Sequence, residues 1–144
     1  AKLRAMHLLS DMGRTESQLR TKLKQGGYAE DAVEAAIRYV KSFGYINDVE
    51  YARSFIGSRK ERKSKKELYA AFVQKGVPAE IVEQVFEEAD YGEEDSRQAI
   101  EALMRKRNYN PETADAKEKQ KMMGYLMRKG FSYQDVRNVL QVCE

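Results

Sequence analysis

The chain says the same thing three times, and an internal repeat restricts the possible folds more sharply than any composition does. Leu19, Leu23, Tyr28, Val33 and Ile37 recur 49 positions later as Leu68, Phe72, Val77, Val82 and Phe86. They recur again 54 positions further on as Met122, Leu126, Phe131, Val136 and Leu140. Each block carries a glycine in the same frame, namely Gly27, Gly76 and Gly130. Upstream of the blocks, Ala5 with Leu9, Ala52 with Ile56, and Ala99 with Leu103 step by 47 both times. A period of this size indicates one helical unit, duplicated and stacked, because a single copy is too small to bury its own apolar face. Stacked helical arrays offer wide surfaces to large partners and seldom enclose a catalytic pocket.

Apolar residues fall at three- and four-residue spacings, without the strict alternation of half-buried strands. Capping signals divide the pattern. Thr15 with Gln18 and Ser64 with Glu67 are capping boxes offset by the same 49. Asn47 with Glu50 opens a helix after the Gly44-Tyr45 break. Pro78 and Pro111 each suit a first helical turn. The three framed glycines suit left-handed helix ends. The expected helices are 2–12, 16–25, 30–43, 48–62, 65–75, 79–89, 93–107, 111–129 and 133–142. The expected fold is all-α: three tandem three-helix repeats, 1–46, 47–91 and 92–144, in one elongated, curved array. The third repeat departs from the others in having a longer middle helix without a Ser/Thr capping box.

Charge narrows the function classes. Of 144 residues, 34% are charged, yet the net charge is only +3. Residues 1–46 carry +3, residues 47–91 carry −1 and residues 92–144 carry +1. That balance is unlike a strongly basic nucleic-acid-binding domain. A 42% hydrophobic fraction still supplies a core. Cys143 is the only cysteine, which excludes an internal disulfide and fits a reducing, cytoplasmic setting. No apolar run reaches membrane-spanning length. The chain opens on Ala1 rather than Met, which is compatible with sequence preceding it.

Catalytic constellations are scarce. His7 is the single histidine, so no second imidazole exists to complete a metal or acid–base site. Cys143, beside Leu140 on an apolar face, has no evident base and reads as a packed or inert thiol. No phosphate-binding loop, dinucleotide fingerprint, HExxH or CxxC occurs. The acidic run Glu87, Glu88, Asp90, Glu93, Glu94 and Asp95 lacks the spacing of a calcium loop; its second half suits a helix N-terminus. An enzyme, a cofactor and a metal are therefore not expected.

The basic residues are grouped. Arg59, Lys60, Arg62, Lys63, Lys65 and Lys66 surround Glu61 at one helix–helix junction. Arg105, Lys106 and Arg107 form a second group. Lys117, Lys121 and Arg128 fall within about 40° on one helix face, opposite Met122, Met123 and Leu126. Any one group is adequately explained as a solvated face. Three in one array suggest a stripe for phosphates or acidic protein.

The segment Gly44-Tyr45-Ile46-Asn47-Asp48-Val49-Glu50-Tyr51-Ala52 resembles the "GY(I/L)(N/D)D..(Y/F)A" signature of RecX regulatory proteins. Ser64 to Leu68, including Glu67, with Gln74-Lys75-Gly76-Val77, resembles that family's second-repeat segment. Arg128-Lys129-Gly130-Phe131-Ser132-Tyr133, with Val136 and Leu140, resembles its third-repeat ending. Tyr69-Ala70-Ala71-Phe72 and the stretch from Tyr109-Asn110-Pro111 depart from the family pattern. The resemblance covers essentially the whole chain. It implies a monomeric, non-enzymatic protein that binds filaments of the bacterial recombinase RecA and inhibits ATP hydrolysis, strand exchange and co-protease activity. DNA repair and the SOS response would be modulated thereby, with some direct contact to single- or double-stranded DNA. On this reading Gly44, Tyr45, Asp48, Tyr51, Ala52, Glu67, Leu68, Gly76, Gly130 and Phe131 are structural motif residues. The alternative is a stand-alone helical-repeat protein that binds nucleic acid.

Overall fold

A computed structural model of the chain describes residues 1–140. Among them are nine helices and no strand: α1 (Lys2–Asp11), α2 (Glu16–Gln25), α3 (Glu30–Ser42), α4 (Asp48–Arg59), α5 (Lys65–Lys75), α6 (Ala79–Ala89), α7 (Glu93–Lys106), α8 (Ala116–Arg128) and α9 (Tyr133–Leu140). The fold is all-α, in three-helix repeats. Three helices match their sequence-predicted bounds, and most others end within three residues. The exception is the stretch before α8, where Pro111 lies in a turn and the helix starts five residues later than predicted. Asp115 is the true N-cap there. It accepts from the Glu118 N–H at 2.8 Å, and its own N–H donates to the Glu118 carboxylate. An Asp-based capping box thus replaces the Ser/Thr boxes of the first two repeats. The expected end of the last helix, and Cys143, lie outside the described residues.

Residues 1–55 and 71–85 make one unit; residues 56–70 and 86–144 make the other. The first unit is built on α1 and α2 packed against α3, with Ala5, Leu8, Leu19, Leu23, Val33, Ala36, Ile37, Val40 and Ile46 forming its core. In the second, α7 and α8 pack on α9 around Ala99, Ile100, Met104, Met122, Leu126, Phe131, Val136 and Leu140. Of the fifteen residues that define the sequence repeat, fourteen are buried. Each buried Leu, Val or Phe contributes about 1.5–3 kcal/mol from apolar burial.

The exception is Tyr28, which is 36% exposed. Its counterparts Val77 and Phe131 follow glycines pressed against another repeat, whereas space around Gly27 is open. In the first unit, Thr15 Oγ1 caps the Gln18 N–H at 3.1 Å and donates to the Lys75 carbonyl at 2.7 Å. In the second unit, Ser64 Oγ caps the Glu67 N–H at 3.1 Å and donates to the Lys129 carbonyl at 2.6 Å. Gly76 and Gly130, each next in the chain, have φ of +75° and +104°. A Cβ on Gly76 would overlap the Ser17 side chain, and one on Gly130 would lie 2.7 Å from Ser64 Oγ. Both positive φ and close approach therefore demand glycine. One joint, used twice, ties the cap of one repeat's second helix to the glycine corner of the next repeat.

Candidate functional site

All three sequence-predicted basic groups fall in the second unit. The turn from Lys60 to Ser64 is tied down on one side. The Tyr91 hydroxyl donates to the Lys63 carbonyl at 2.6 Å. Burial pushes the Tyr91 pKa up to about 12, above the usual tyrosine range. Lys60 pairs with Asp95 at 3.4 Å, and the other oxygen of that carboxylate accepts the Gly92 N–H at the start of α7. The acidic run thus works partly as helix-terminal charge, as the sequence suggests, and partly as an anchor for a basic turn. Arg62, Lys63, Lys65 and Lys66 are left exposed, with the Arg62 guanidinium bent back to donate to the Ser58 carbonyl. Arg59 is half-buried at the end of α4.

The joint brings this turn to the C-terminal end of α8. Ser64 donates to Lys129, and the Lys66 chain lies against Gly130. Lys129 Nζ stands 3.9 Å from Glu67 and 5.7 Å from the centre of the Tyr125 ring. The Arg107 guanidinium carbon lies 3.9 Å from the same ring centre. An arginine stacked that closely is held by the ring quadrupole while its remaining N–H donors stay available. Lys129 and Arg107 therefore converge on Tyr125, and Lys66 packs against the adjacent Gly130, so the first and second basic groups meet at this corner. Both α7 and α8 end there, so their C-terminal partial charges favour cations, a structural reason independent of any ligand.

The third group occupies an exposed face of α8, as the periodicity requires. Lys117 and Arg128 are about 16 Å apart along the axis. Arg128 folds back along the helix, its Nη1 3.2 Å from where a Cβ on Gly124 would be. A bare glycine on this face lets a guanidinium lie over the helix between Lys121 and the C-terminus. Arg105 and Lys106 are exposed in the last turn of α7. Lys60 is paired with the Asp95 carboxylate, whose side chain is 16% exposed.

Lys129 is the residue that composition-based grouping overlooks. The signal for it was the repeat frame, since Lys129 stands 54 positions after Lys75. Each lysine gives its carbonyl to a cap hydroxyl and extends its ammonium over an aromatic ring; for Lys75 this is Phe55, at 5.5 Å.

The motif residues divide into core, joint and surface. Ala52 and Leu68 are buried, and so is Phe131; Tyr51 stacks on Phe55 at 6.4 Å. Glu67 accepts the Ser64 N–H at 3.2 Å. Asp48, at the start of α4, accepts the Glu16 N–H at 2.8 Å, and burial raises its pKa. Glu16 also pairs with Lys41 at 2.9 Å and Arg20 at 3.1 Å, and Arg20 reaches Glu34 at 2.7 Å. The Lys41 bond, against the cost of burial, holds the Glu16 carboxyl below the usual range. Gly44 has φ of +72°, and Tyr45 beside it is exposed rather than packed. His7 lies on an exposed face of α1. Among the described residues, no three His, Cys, Asp or Glu side chains gather as a metal cage requires. None of the helices there is long and apolar enough to cross a membrane.

Comparison with known proteins places these features in a family. The profile of the first three-helix domain of RecX matches residues 1–39, and that of the third matches residues 93–140. A Regulatory protein RecX from Caldanaerobacter subterraneus subsp. tengcongensis is 32% identical over 143 residues, covering 99% of this chain and 70% of that protein. One from Clostridium acetobutylicum is 25% identical, covering 98% and 67%. The crystal structure of RecX from Lactobacillus salivarius superposes with a TM-score of 0.76 at 22% identity, covering 97% of this chain and 92% of that one. A second crystal structure of regulatory protein RecX gives 0.75 at 23% identity, covering 97% and 69%. The matched helices include the Lys129-Gly130 corner and the cap helix of the first repeat, and the similarity extends along nearly the full chain: it belongs to the RecX family of regulatory proteins.

Proposed function

We propose that this chain is a non-enzymatic regulator that binds RecA nucleoprotein filaments and inhibits recombinase activity. ATP hydrolysis, strand exchange and co-protease function would all fall, modulating DNA repair and the SOS response in the cytoplasm. The observation that supports this best is the pair Lys129 and Arg107 held at the Tyr125 ring, with Lys66 packed against the adjacent Gly130, within a chain of the RecX family. Cations held by a joint and a ring are pre-ordered, so less entropy is lost when they meet an acidic surface or phosphates. Arg105, Lys106, Lys117, Lys121 and Arg128 extend the positive surface, and Arg62, Lys63 and Lys65 flank it. The protein acts as a monomer on this reading, with no cofactor.

The test is the single-stranded-DNA-dependent ATPase rate of the cognate recombinase, titrated with this protein while DNA is in excess. Inhibition at or below one protein per few recombinase subunits is expected. The triple variant Lys66→Ala, Arg107→Ala, Lys129→Ala should need at least tenfold more protein for the same effect, with its helical circular dichroism unchanged. No inhibition by the unaltered chain would refute the reading and leave stand-alone nucleic-acid binding, recognised by a steep loss of DNA affinity with salt.

A further inference from the structure

The first unit carries an aromatic surface that neither the core nor the basic groups explain. The chain has five phenylalanines; Phe55, Phe72, Phe86 and Phe131 are buried, but Phe43 is 57% exposed. Beside it Tyr45 is 53% exposed. The two rings lie 5.5 Å apart and nearly parallel, at 17°, and Tyr39 meets Phe43 edge-on at 5.1 Å. A single exposed ring is unremarked on most surfaces; two stacked rings with an open face are not.

Their geometry is fixed by the backbone. α3 ends in a pair of hydrogen bonds, Tyr45 N–H to the Val40 carbonyl and Gly44 N–H to the Lys41 carbonyl, both at 3.0 Å. This Schellman arrangement requires the left-handed conformation that Gly44 adopts. The turn sets residues 43 and 45 side by side, and buried Ile46 anchors the chain immediately afterwards. The rings are thus held in place before any partner arrives.

Cations stand at the edge of the ladder. Lys2 Nζ is 5.0 Å from the centre of the Tyr39 ring, and Arg38 is exposed one residue before it. Residues 1–46 also carry the largest positive charge of the three repeats, +3. Stacked open rings bordered by cations are the elements of a single-strand site, where bases stack on aromatics and phosphates meet lysine and arginine.

We propose that Phe43 and Tyr45 form a stacking platform for the unpaired bases of single-stranded nucleic acid, with Lys2, at the Tyr39 end of the ring ladder, placed for its phosphates. This deepens the proposed function, since it rests on the chain working at a filament that contains single-stranded DNA. The platform is distinct from the basic surface around Tyr125, whose ring is already covered by Arg107 and Lys129.

The experiment uses the full chain and a fluorescein-labelled fifteen-nucleotide oligo(dT), with binding read by anisotropy across a series of salt concentrations. The double variant Phe43→Leu, Tyr45→Leu should bind at least tenfold more weakly, while the slope of log affinity against log salt stays the same. Stacking is lost but phosphate contacts are kept. Lys2→Ala should instead reduce that slope by about one. Equal affinity of the double variant and the unaltered chain would overturn the platform, and so would the absence of oligo(dT) binding by the unaltered chain at low salt. A double variant that keeps oligo(dT) binding but loses inhibition of the recombinase ATPase would also overturn it, by assigning the rings to a protein. Loss of oligo(dT) binding with ATPase inhibition intact supports the platform. Failure of the parent reading is seen separately, as absence of ATPase inhibition by the unaltered chain.

Discussion

Replacing Ser64 with alanine tests the joint on which the fold and the basic surface both depend. Ser64 is 1% exposed, and its hydroxyl has two partners. It accepts the Glu67 N–H at 3.1 Å and donates to the Lys129 carbonyl at 2.6 Å. Losing a cap of this type costs about 1 kcal/mol. Stranding a carbonyl away from water costs a further 1–3 kcal/mol, roughly. Ser64→Ala should therefore destabilise the protein by about 2–4 kcal/mol in urea or guanidinium unfolding. Ser132→Ala supplies the control. Ser132 caps the Asp135 N–H at 3.1 Å but is exposed, so its loss should cost only about 1 kcal/mol. Ser64→Thr should fall close to the unaltered protein, because Thr15 does the same work in the first unit. If Ser64→Ala costs no more than Ser132→Ala, the hydroxyl-to-carbonyl link contributes nothing, and the argument from the repeated joint fails.

Gly76→Ala combines a left-handed φ with overlap on Ser17, whereas Gly27→Ala meets open space at φ +88°; chemical unfolding should show the first losing clearly more than the roughly 1–2 kcal/mol expected of the second. Glu16 has a lowered pKa in the folded state, so its contribution is present above the unfolded carboxylate pKa and is lost as pH falls through the folded one. Urea midpoints of Glu16→Gln and the unaltered chain should therefore differ at pH 7 and converge in acid below the ordinary carboxylate range. A difference that persists at low pH would assign the effect to packing rather than to Lys41 and Arg20.

Much of the architecture was legible in the residues, because helices announce themselves locally. Capping boxes at Thr15 and Ser64 have hydrogen-bond geometry set within four residues, and apolar periodicity repeats with every turn. The start of α8 was not legible in the same way. Pro111 is compatible with a first helical turn, but Asp115 with Glu118 offers a stronger cap nearer the apolar run, and the helix begins there. Tyr28 was misplaced for another reason. The repeat frame assigns it to the core, yet burial of that position depends on a neighbouring repeat, and around Gly27 there is none within reach.

The basic groups were visible as charge, but what unites them was not. Lys129 draws together the turn before α5 and the end of α7 through its carbonyl, its ammonium and its neighbour Gly130. The contacts to the turn before α5 join residues 64 and 65 positions apart, which no local pattern encodes. Sequence alone determined the helices, the caps at Thr15 and Ser64 and the duplicated unit, because these follow from periodicity and short-range hydrogen bonding, and its motifs carried the resemblance to the family. Tertiary structure alone decided which cap hydroxyl meets which carbonyl, which cations share the Tyr125 ring, and why Phe43 and Tyr45 stand out in solvent while the other phenylalanines are packed. Such choices arise from competition for buried space between distant segments, and that competition is resolved only when the helices pack.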